Sequence, residues 1–336
     1  MLYNKRHIYL RSPLRISFVG GGTDLESFYM QDETGHVVSS TIDLYNYVSI
    51  KDMFDSNVRV HHAEIETEAI TSRIKHPYAR TALEHYGIFK GAEVILTSDV
   101  MTTGSGLGAS SAMMSSLVLG CSTLRDKKIN SKHEHSEITY NLESDAGTIG
   151  GKQDQYATVY GGLNSITFDK NSIRVKRVKI PAENLKRMEE RMFLVFTNMA
   201  RETRNIQTDL GKNLISSSKK KYFTGLRDLS HDFLNALESK NFILNDIGKI
   251  LNESWKLKKS TNDHITNPFI DQLYDTLKKK GIIGGKVLGA GGGGFLLAFA
   301  GDQKMKEKIK YELYPNFIAL DVKLSSKGTE ILWKNF

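Results

Sequence analysis

Gly104-Ser105-Gly106-Leu107-Gly108-Ala109-Ser110-Ser111-Ala112 is the stretch from which the rest of this 336-residue chain is best read. Glycines at every second position let the backbone take positive φ and let a ligand approach closely. The segment that follows, Ala112–Leu124, is apolar and of helical length. Loop amides and a helix N-terminus therefore converge on one point, which suits an anion. Ser110 and Ser111 can donate to phosphate oxygens, and a serine hydroxyl there can ligate Mg²⁺. No lysine precedes the paired serines, so this is not the P-loop pattern. The expected phosphate-binding set is Gly104, Ser105, Gly106, Leu107, Gly108, Ala109, Ser110 and Ser111.

Outward from the loop, both flanks mix strands and helices. Leu14–Val19, Val37–Ile42, Tyr47–Lys51, Val58–His62 and Glu93–Thr97 alternate as strands, and His133–Ala146 has helical spacing. Leu163–Phe168 and Ile173–Val178 read as a hairpin, and Pro181 with the polar stretch after it marks the boundary. Beyond it the pattern predicts a strand at Met192–Thr197 and helices over Arg201–Leu214, Lys219–Leu237, Phe242–Leu257 and Pro268–Lys280. Thr266 or Asn267 caps the last of these, with Pro268 at its first position. Strands at Lys286–Leu288 and Phe295–Phe299, a helix at Gln303–Leu313 and a strand at Phe317–Val322 complete the pattern. The expected fold class is α+β, in two domains, 1–182 and 183–336.

Composition narrows the function classes. Hydrophobic residues are 40% and charged residues 25%, which supports folded cores rather than disorder. The longest apolar run, Phe295–Ala300, is far short of the ~20 residues of a membrane helix. Met1–Arg11 lacks the apolar stretch and cleavage site of a secretory signal. Cys121 alone cannot build a disulfide framework or a cysteine metal cluster. A cytoplasmic protein is expected, with no membrane partner. Forty-six Lys and Arg against 38 Asp and Glu give a net charge of +8. No nucleic-acid motif accompanies that charge, so an anionic small molecule is the expected partner. No pattern specifies an oligomeric state.

Two other glycine clusters carry information. Gly20-Gly21-Gly22-Thr23-Asp24 follows a strand, and an aspartate there can accept hydrogen bonds from hydroxyls. Thr23 and Glu26 also have the spacing of a capping box. Gly289-Ala290-Gly291-Gly292-Gly293-Gly294 leads into a strand, and four consecutive glycines cost chain entropy, so something must pack close to them. Gly104-x-Gly106-x-x-Ala109 and Gly289-x-Gly291-x-x-Gly294 both match a dinucleotide pattern, but neither has its strand–helix setting. Glu143 and Asp154 lie on either side of a Gly150-Gly151 break. Two carboxylates at such a junction can divide phosphoryl transfer between metal binding and orientation of the attacking hydroxyl.

Pro13-x-Arg15-Ile16, Gly104–Ala112, Gly150-Gly151-Lys152-Gln153-Asp154-Gln155 and Lys286–Phe295 together resemble the GHMP small-molecule kinases, in the same order and over nearly the whole chain. The resemblance implies an N-terminal mixed α/β domain with a left-handed βαβ-type nucleotide site and a C-terminal ferredoxin-like α+β domain. It implies ATP and Mg²⁺, with Ser111 and Glu143 as metal ligands, Asp154 as catalytic base and Arg15 beside it. Gly21, Gly22, Thr23 and Asp24 fall on the sugar side, and Gly291 and Gly292 on the loop that closes the site. Lys152, Arg201 and Arg204 are candidate partners of a substrate phosphate.

Within the family, Arg11–Asp24 is similar to the D-glycero-D-manno-heptose 7-phosphate kinases. That likeness implies phosphorylation of the anomeric hydroxyl, giving the 1,7-bisphosphate, in nucleotide-activated heptose synthesis for a surface polysaccharide. One departure is Met101-Thr102-Thr103, where many relatives carry proline before the loop. The alternatives are a GHMP kinase acting on galactose, fucose or a mevalonate-type alcohol, an NAD(P)-dependent oxidoreductase, and a non-catalytic sugar-phosphate binding protein.

Overall fold

Strand β1, His7–Val19, buries Ile8, Leu10, Leu14, Ile16 and Phe18 at every second residue or across one irregularity. That alternation makes it the spine of the first sheet. It pairs along its whole length with β2, Gly35–Asp52. The sequence predicts two strands here, Val37–Ile42 and Tyr47–Lys51, whereas the structure has a single 18-residue strand. The polar break at Asp43–Asn46 is bridged because β1 runs alongside it, with register shifts at Pro13/Arg15 and Ser17/Val19. A computed structural model describes residues 6–31, 33–100, 104–199 and 217–336.

A short helix α1, Glu26–Tyr29, lies between β1 and β2. Strands β3 (Val58–His61) and β4 (Ile65–Glu68), helix α2 (Pro77–His85) and strand β5 (Ala92–Ser98) follow. Next come α3 (Ala109–Leu124), α4 (Lys132–Asp145), α5 (Gln153–Tyr160), and the hairpin β6 (Leu163–Phe168) and β7 (Ile173–Arg177). The two halves of β2 have different partners, β6 at Gly35–Ser40 and β5 at Asn46–Asp52. Both are antiparallel to it, so β5 and β6 run parallel to each other and α3–α5 form the crossover between them. Helix α3 is buried on all sides, through residues such as Met114, Leu117, Val118 and Cys121.

The second sheet has the order β11–β8–β10–β9, all antiparallel. Its strands are β8 (Met192–Phe196), β9 (Ile282–Val287), β10 (Phe295–Ala300) and β11 (Ala319–Leu320). Helix α6 (Ala182–Glu189) precedes β8. Helices α7 (Ser217–Glu238), α8 (Leu244–Lys259) and α9 (Pro268–Lys280) fall between β8 and β9, and α10 (Gln303–Leu313) between β10 and β11. This β-α-β-β-α-β order is the ferredoxin-like arrangement expected for the second domain. Asn267, not Thr266, caps α9, accepting from the Ile270 amide at 2.9 Å.

Several elements differ from expectation. Helices α2 and α6 and the strands β4 and β12 (Glu330–Asn335) have no counterpart in the pattern read from the sequence. The predicted strand Phe317–Val322 contracts to two residues. The predicted helix Arg201–Leu214 lies outside the described residues. Strand β12 pairs with β1, so the first sheet is completed by residues that follow the second sheet in the chain. One core joins the sheets: Leu14, Ile16 and Phe18 of β1 cluster with Leu194, Leu297 and Phe299 of the second sheet and Ile247 and Leu251 of α8. The cleft over that shared core is where the glycine loops meet.

Candidate active site

The glycine loop enters α3 through Gly104, Gly106 and Gly108, at φ of +72°, +79° and +69°. Alanine would be strained at each. A Cβ on Gly108 would also stand 2.9 Å from Arg15 Cγ. The first-turn amides of α3 have no intrahelical acceptor by helix geometry. They face a cavity lined by Gly104, Ser105, Gly106, Gly108, Ala109, Ser110 and Ser111. Leu107 is the exception in the expected set: its side chain is fully buried in the shared core. Its carbonyl accepts the Arg15 amide at 2.8 Å, so it anchors the loop to β1 rather than facing the cavity.

Glu143 reaches the same cavity from α4, only 2% exposed. Ser111 Oγ and Gln155 Nε2 each donate to its Oε2 at 2.7 Å. Burial pushes its carboxyl pKa up, and those hydrogen bonds from Ser111, Ser110 and Gln155 oppose the rise. A buried carboxylate beside a serine hydroxyl is a hard-oxygen pair of the kind Mg²⁺ takes, with substrate phosphates completing the shell. Among the described residues Gln155 Oε1 has no hydrogen-bond partner, which leaves an acceptor beside this pair. The expected ligands Ser111 and Glu143 thus fit the ion. Gln155, which lines this cavity and holds Glu143, is a candidate site residue outside the set expected from the sequence, and its adjacency to Asp154 is the signal that could have found it.

Asp154 stands at the start of α5 with 23% of its side chain exposed. Arg15 Nε donates to its Oδ1 at 2.7 Å, and the other carboxylate oxygen pairs with the same guanidinium. The third Arg15 nitrogen donates to the Gly106 carbonyl at 2.5 Å. This fork fixes Asp154 against both β1 and the glycine loop.

A second cavity adjoins the first. Its lining includes Ser17, Gly21, Gly22, Asp24, Leu25 and Gln153, then Phe223, Lys258, Thr261 and Ile265 from the second half. Arg15, Gly151, Asp154, Gly289 and Ala290 line both cavities, so the Arg15–Asp154 pair stands in their common wall. Asp24 is buried, accepts the Gly22 amide at 2.8 Å, and receives the Gln153 amide at 3.2 Å and Nε2 at 3.1 Å. Burial raises its pKa, the Gly22 amide opposes that, and the nearby Asp154 charge adds to it. A Cβ on Gly151 would lie 2.0 Å from Asp24 Oδ2, so only glycine fits there.

Other expected substrate residues are placed differently. Thr23 is fully buried: its hydroxyl donates to the carbonyls of Gly20 at 2.8 Å and His36 at 3.1 Å, clamping the β1–β2 turn away from either cavity. The capping box does not form, because Leu25 occupies the cap position of α1. Lys152 lines neither cavity. Its ammonium is drawn to Glu137 at 2.9 Å and Glu26 at 3.5 Å, with the Tyr140 ring beneath it at 4.7 Å. Gly291 and Gly292 pack instead against Ile265, whose carbonyl accepts the Gly292 amide at 2.8 Å. The contact with the cavities shifts two residues earlier, to Gly289 and Ala290. Gly294 packs on the Gly104 and Ser105 carbonyls, joining the two loops. Arg201 and Arg204 lie outside the described residues.

The family model for the GHMP kinases N terminal domain matches residues 73–162, and that for the GHMP kinases C terminal region matches residues 240–318. A D-glycero-alpha-D-manno-heptose 7-phosphate kinase of Campylobacter jejuni is 28% identical over 317 residues, covering 90% of this chain and 92% of that protein. A bifunctional fucokinase/GDP-fucose pyrophosphorylase of Arabidopsis thaliana is 26% identical, over 93% of this chain and 32% of that one. A crystal structure of a D-glycero-D-manno-heptose 1-phosphate kinase from Bacteroides thetaiotaomicron superposes with a TM-score of 0.78 at 21% identity, covering 99% of this chain and 100% of that one. With family-model matches to both the N- and C-terminal domains, this chain belongs to the GHMP kinases.

Proposed function

We propose that the protein transfers the γ-phosphoryl group of ATP to the anomeric hydroxyl of D-glycero-D-manno-heptose 7-phosphate, giving the 1,7-bisphosphate and ADP. The observation that carries the reading is the position of Arg15 and Asp154 in the wall common to both cavities. A phosphoryl donor in the first cavity and an acceptor hydroxyl in the second meet at that pair.

The α3 first-turn amides and the Gly104–Ser111 loop hold the donor phosphates. Asp154 orients the attacking hydroxyl and takes its proton as the new P–O bond forms. Arg15 offsets the charge that develops on the transferring group. Glu143 and Ser111 would hold Mg²⁺, which would supply neutralisation of charge on the phosphates. Asp24, ordered by Gly22 and Gln153, accepts hydrogen bonds from sugar hydroxyls. The remote phosphate of the acceptor is assigned to Lys258, the lysine among the described residues that lines the second cavity. The 28% identity to the Campylobacter jejuni heptose 7-phosphate kinase supports the choice of sugar.

A coupled ADP assay with Mg²⁺ tests the reading, comparing heptose 7-phosphate with mannose, galactose, fucose and mevalonate. Turnover confined to the heptose phosphate is the expected result. Turnover of an unphosphorylated sugar alone would retain the chemistry and discard the substrate.

A further inference from the structure

Lys286 is 1% exposed, yet its neighbours on β10 are apolar members of the shared core. It pairs with Leu297 across the second sheet, and its ammonium makes one hydrogen bond among the described residues, to the Phe18 carbonyl of β1 at 3.0 Å. An ammonium has three donors, and burying it with a single neutral acceptor is costly. Packing does not account for a lysine here, because an apolar side chain of this volume would satisfy the same core.

Its position does. Phe18 follows Ser17, which lines the second cavity, and lies three residues after Arg15. Lys286 in turn lies three residues before Gly289, where the chain enters the walls of both cavities. The single bond from Lys286 to Phe18 therefore ties the strand that carries the acceptor side to the loop that closes over it. Lys258 reinforces the same junction from α8, donating to the Gly289 carbonyl at 2.5 Å.

We infer that Lys286 is a positioning residue for the acceptor: it sets the spacing between β1 and the Gly289–Ala290 loop across the cleft. The inference rests on the kinase reading of the two cavities, not on the choice of sugar.

The surroundings of Lys286 make this pin sensitive to pH. Burial, and then the Arg15 guanidinium, lower its pKa to about 7, while the Asp24 carboxylate opposes the fall. Helix α8 brings Lys258 to the same junction, β10 carries no titratable side chain, and α7 meets Phe18 through Phe233. Below about 7 the ammonium is charged and its bond to the carbonyl is charge-assisted; above it the amine is neutral and the bond weaker. The KM for acceptor should therefore rise with pH through neutrality.

The test compares wild type, Lys286→Met and Lys286→Arg with whichever acceptor the wild-type enzyme phosphorylates. Deuterium exchange of the free proteins is measured in parallel, so a failed sugar assignment does not obscure the result. Expected for Lys286→Met are an acceptor KM raised roughly tenfold with the ATP KM within about twofold. Exchange should quicken at residues 14–24 and 286–294, and Tm should be unchanged or higher because a buried charge is gone. Lys286→Arg should restore part of the acceptor KM and lose its dependence on pH, since arginine stays charged. Unchanged acceptor KM and unchanged exchange would overturn the inference. So would a lowered Tm with faster exchange throughout the chain, which would make Lys286 a general structural residue.

Discussion

The two cavities are built in opposite ways. The donor cavity takes its phosphate-facing wall from one segment, Gly104–Ser111 without Leu107, which runs directly into α3. The acceptor cavity is assembled from β1, the turn after it, the start of α5, helices α7 and α8, the segment up to Ile265 and the third glycine loop. A backbone cradle for phosphate is a local object: amides and a helix end supply it, and side-chain identity matters little. A sugar pocket needs polar groups at fixed separations, and those come from wherever the fold delivers them. Donor binding should therefore tolerate changes at Phe223, Lys258, Thr261 and Ile265 that acceptor binding does not.

Four substitutions probe this contrast, in falling order of effect. Asp154→Asn removes the group in the common wall and should lower kcat by roughly 10²–10⁴, with both KM values little changed. An undiminished kcat in the ADP assay would break the picture of a shared wall. Gly151→Ala drives a Cβ into the Asp24 carboxylate. A displacement of this kind should cost about 10²-fold in kcat/KM for the acceptor and leave ATP binding near normal. Equal losses on both substrates would mean that the cavities are not separable.

Glu143→Gln sharpens the donor side. Apparent Mg²⁺ affinity should fall about 10–100-fold, read from a metal titration of the rate. Because burial raises the Glu143 pKa, the folded state keeps its proton up to a higher pH than the unfolded chain does. Stability from this group is therefore lost as pH rises from the ordinary carboxyl range through the raised value. Without metal or nucleotide, the Gln variant should unfold at a higher temperature than wild type at neutral pH, with the difference closing in acid. The smallest effect is expected for Thr23→Val, which loses the turn clamp and should cost about 1–2 kcal/mol in urea unfolding with kcat intact.

The same contrast explains what could be read from the chain beforehand. The Gly104–Ser111 loop and the α3 helix are legible because each follows from spacing along a contiguous stretch, whereas Glu143 and Asp154 stand out from other acidic residues only through the resemblance to the GHMP kinases. Thr23 and Lys152 were misplaced because their neighbours in sequence do reach a cavity while their own side chains turn to His36 and to Glu137. Leu107 sits inside a phosphate loop yet belongs to the core, a distinction made by the carbonyl contact with Arg15. Lys258 and Phe223 lie on amphipathic helices whose periodicity marks them only as helical. Strand β12 was missed because its exposed, mixed residues carry little alternation and its pairing partner is some 320 residues away.

That last pairing has a mechanical consequence. His7 faces Asn335 and Arg11 faces Glu330, so β1 and β12 lie antiparallel with the two ends of the described chain side by side. A force applied between residues 7 and 335 would load their ladder one rung at a time, as a zipper, instead of shearing every rung together. Beyond it stands the isolated bridge between Ile42 and Leu324. Stretched from its ends, the molecule should first release β12 at low tension, with the Arg15–Asp154 wall and both glycine loops still in place.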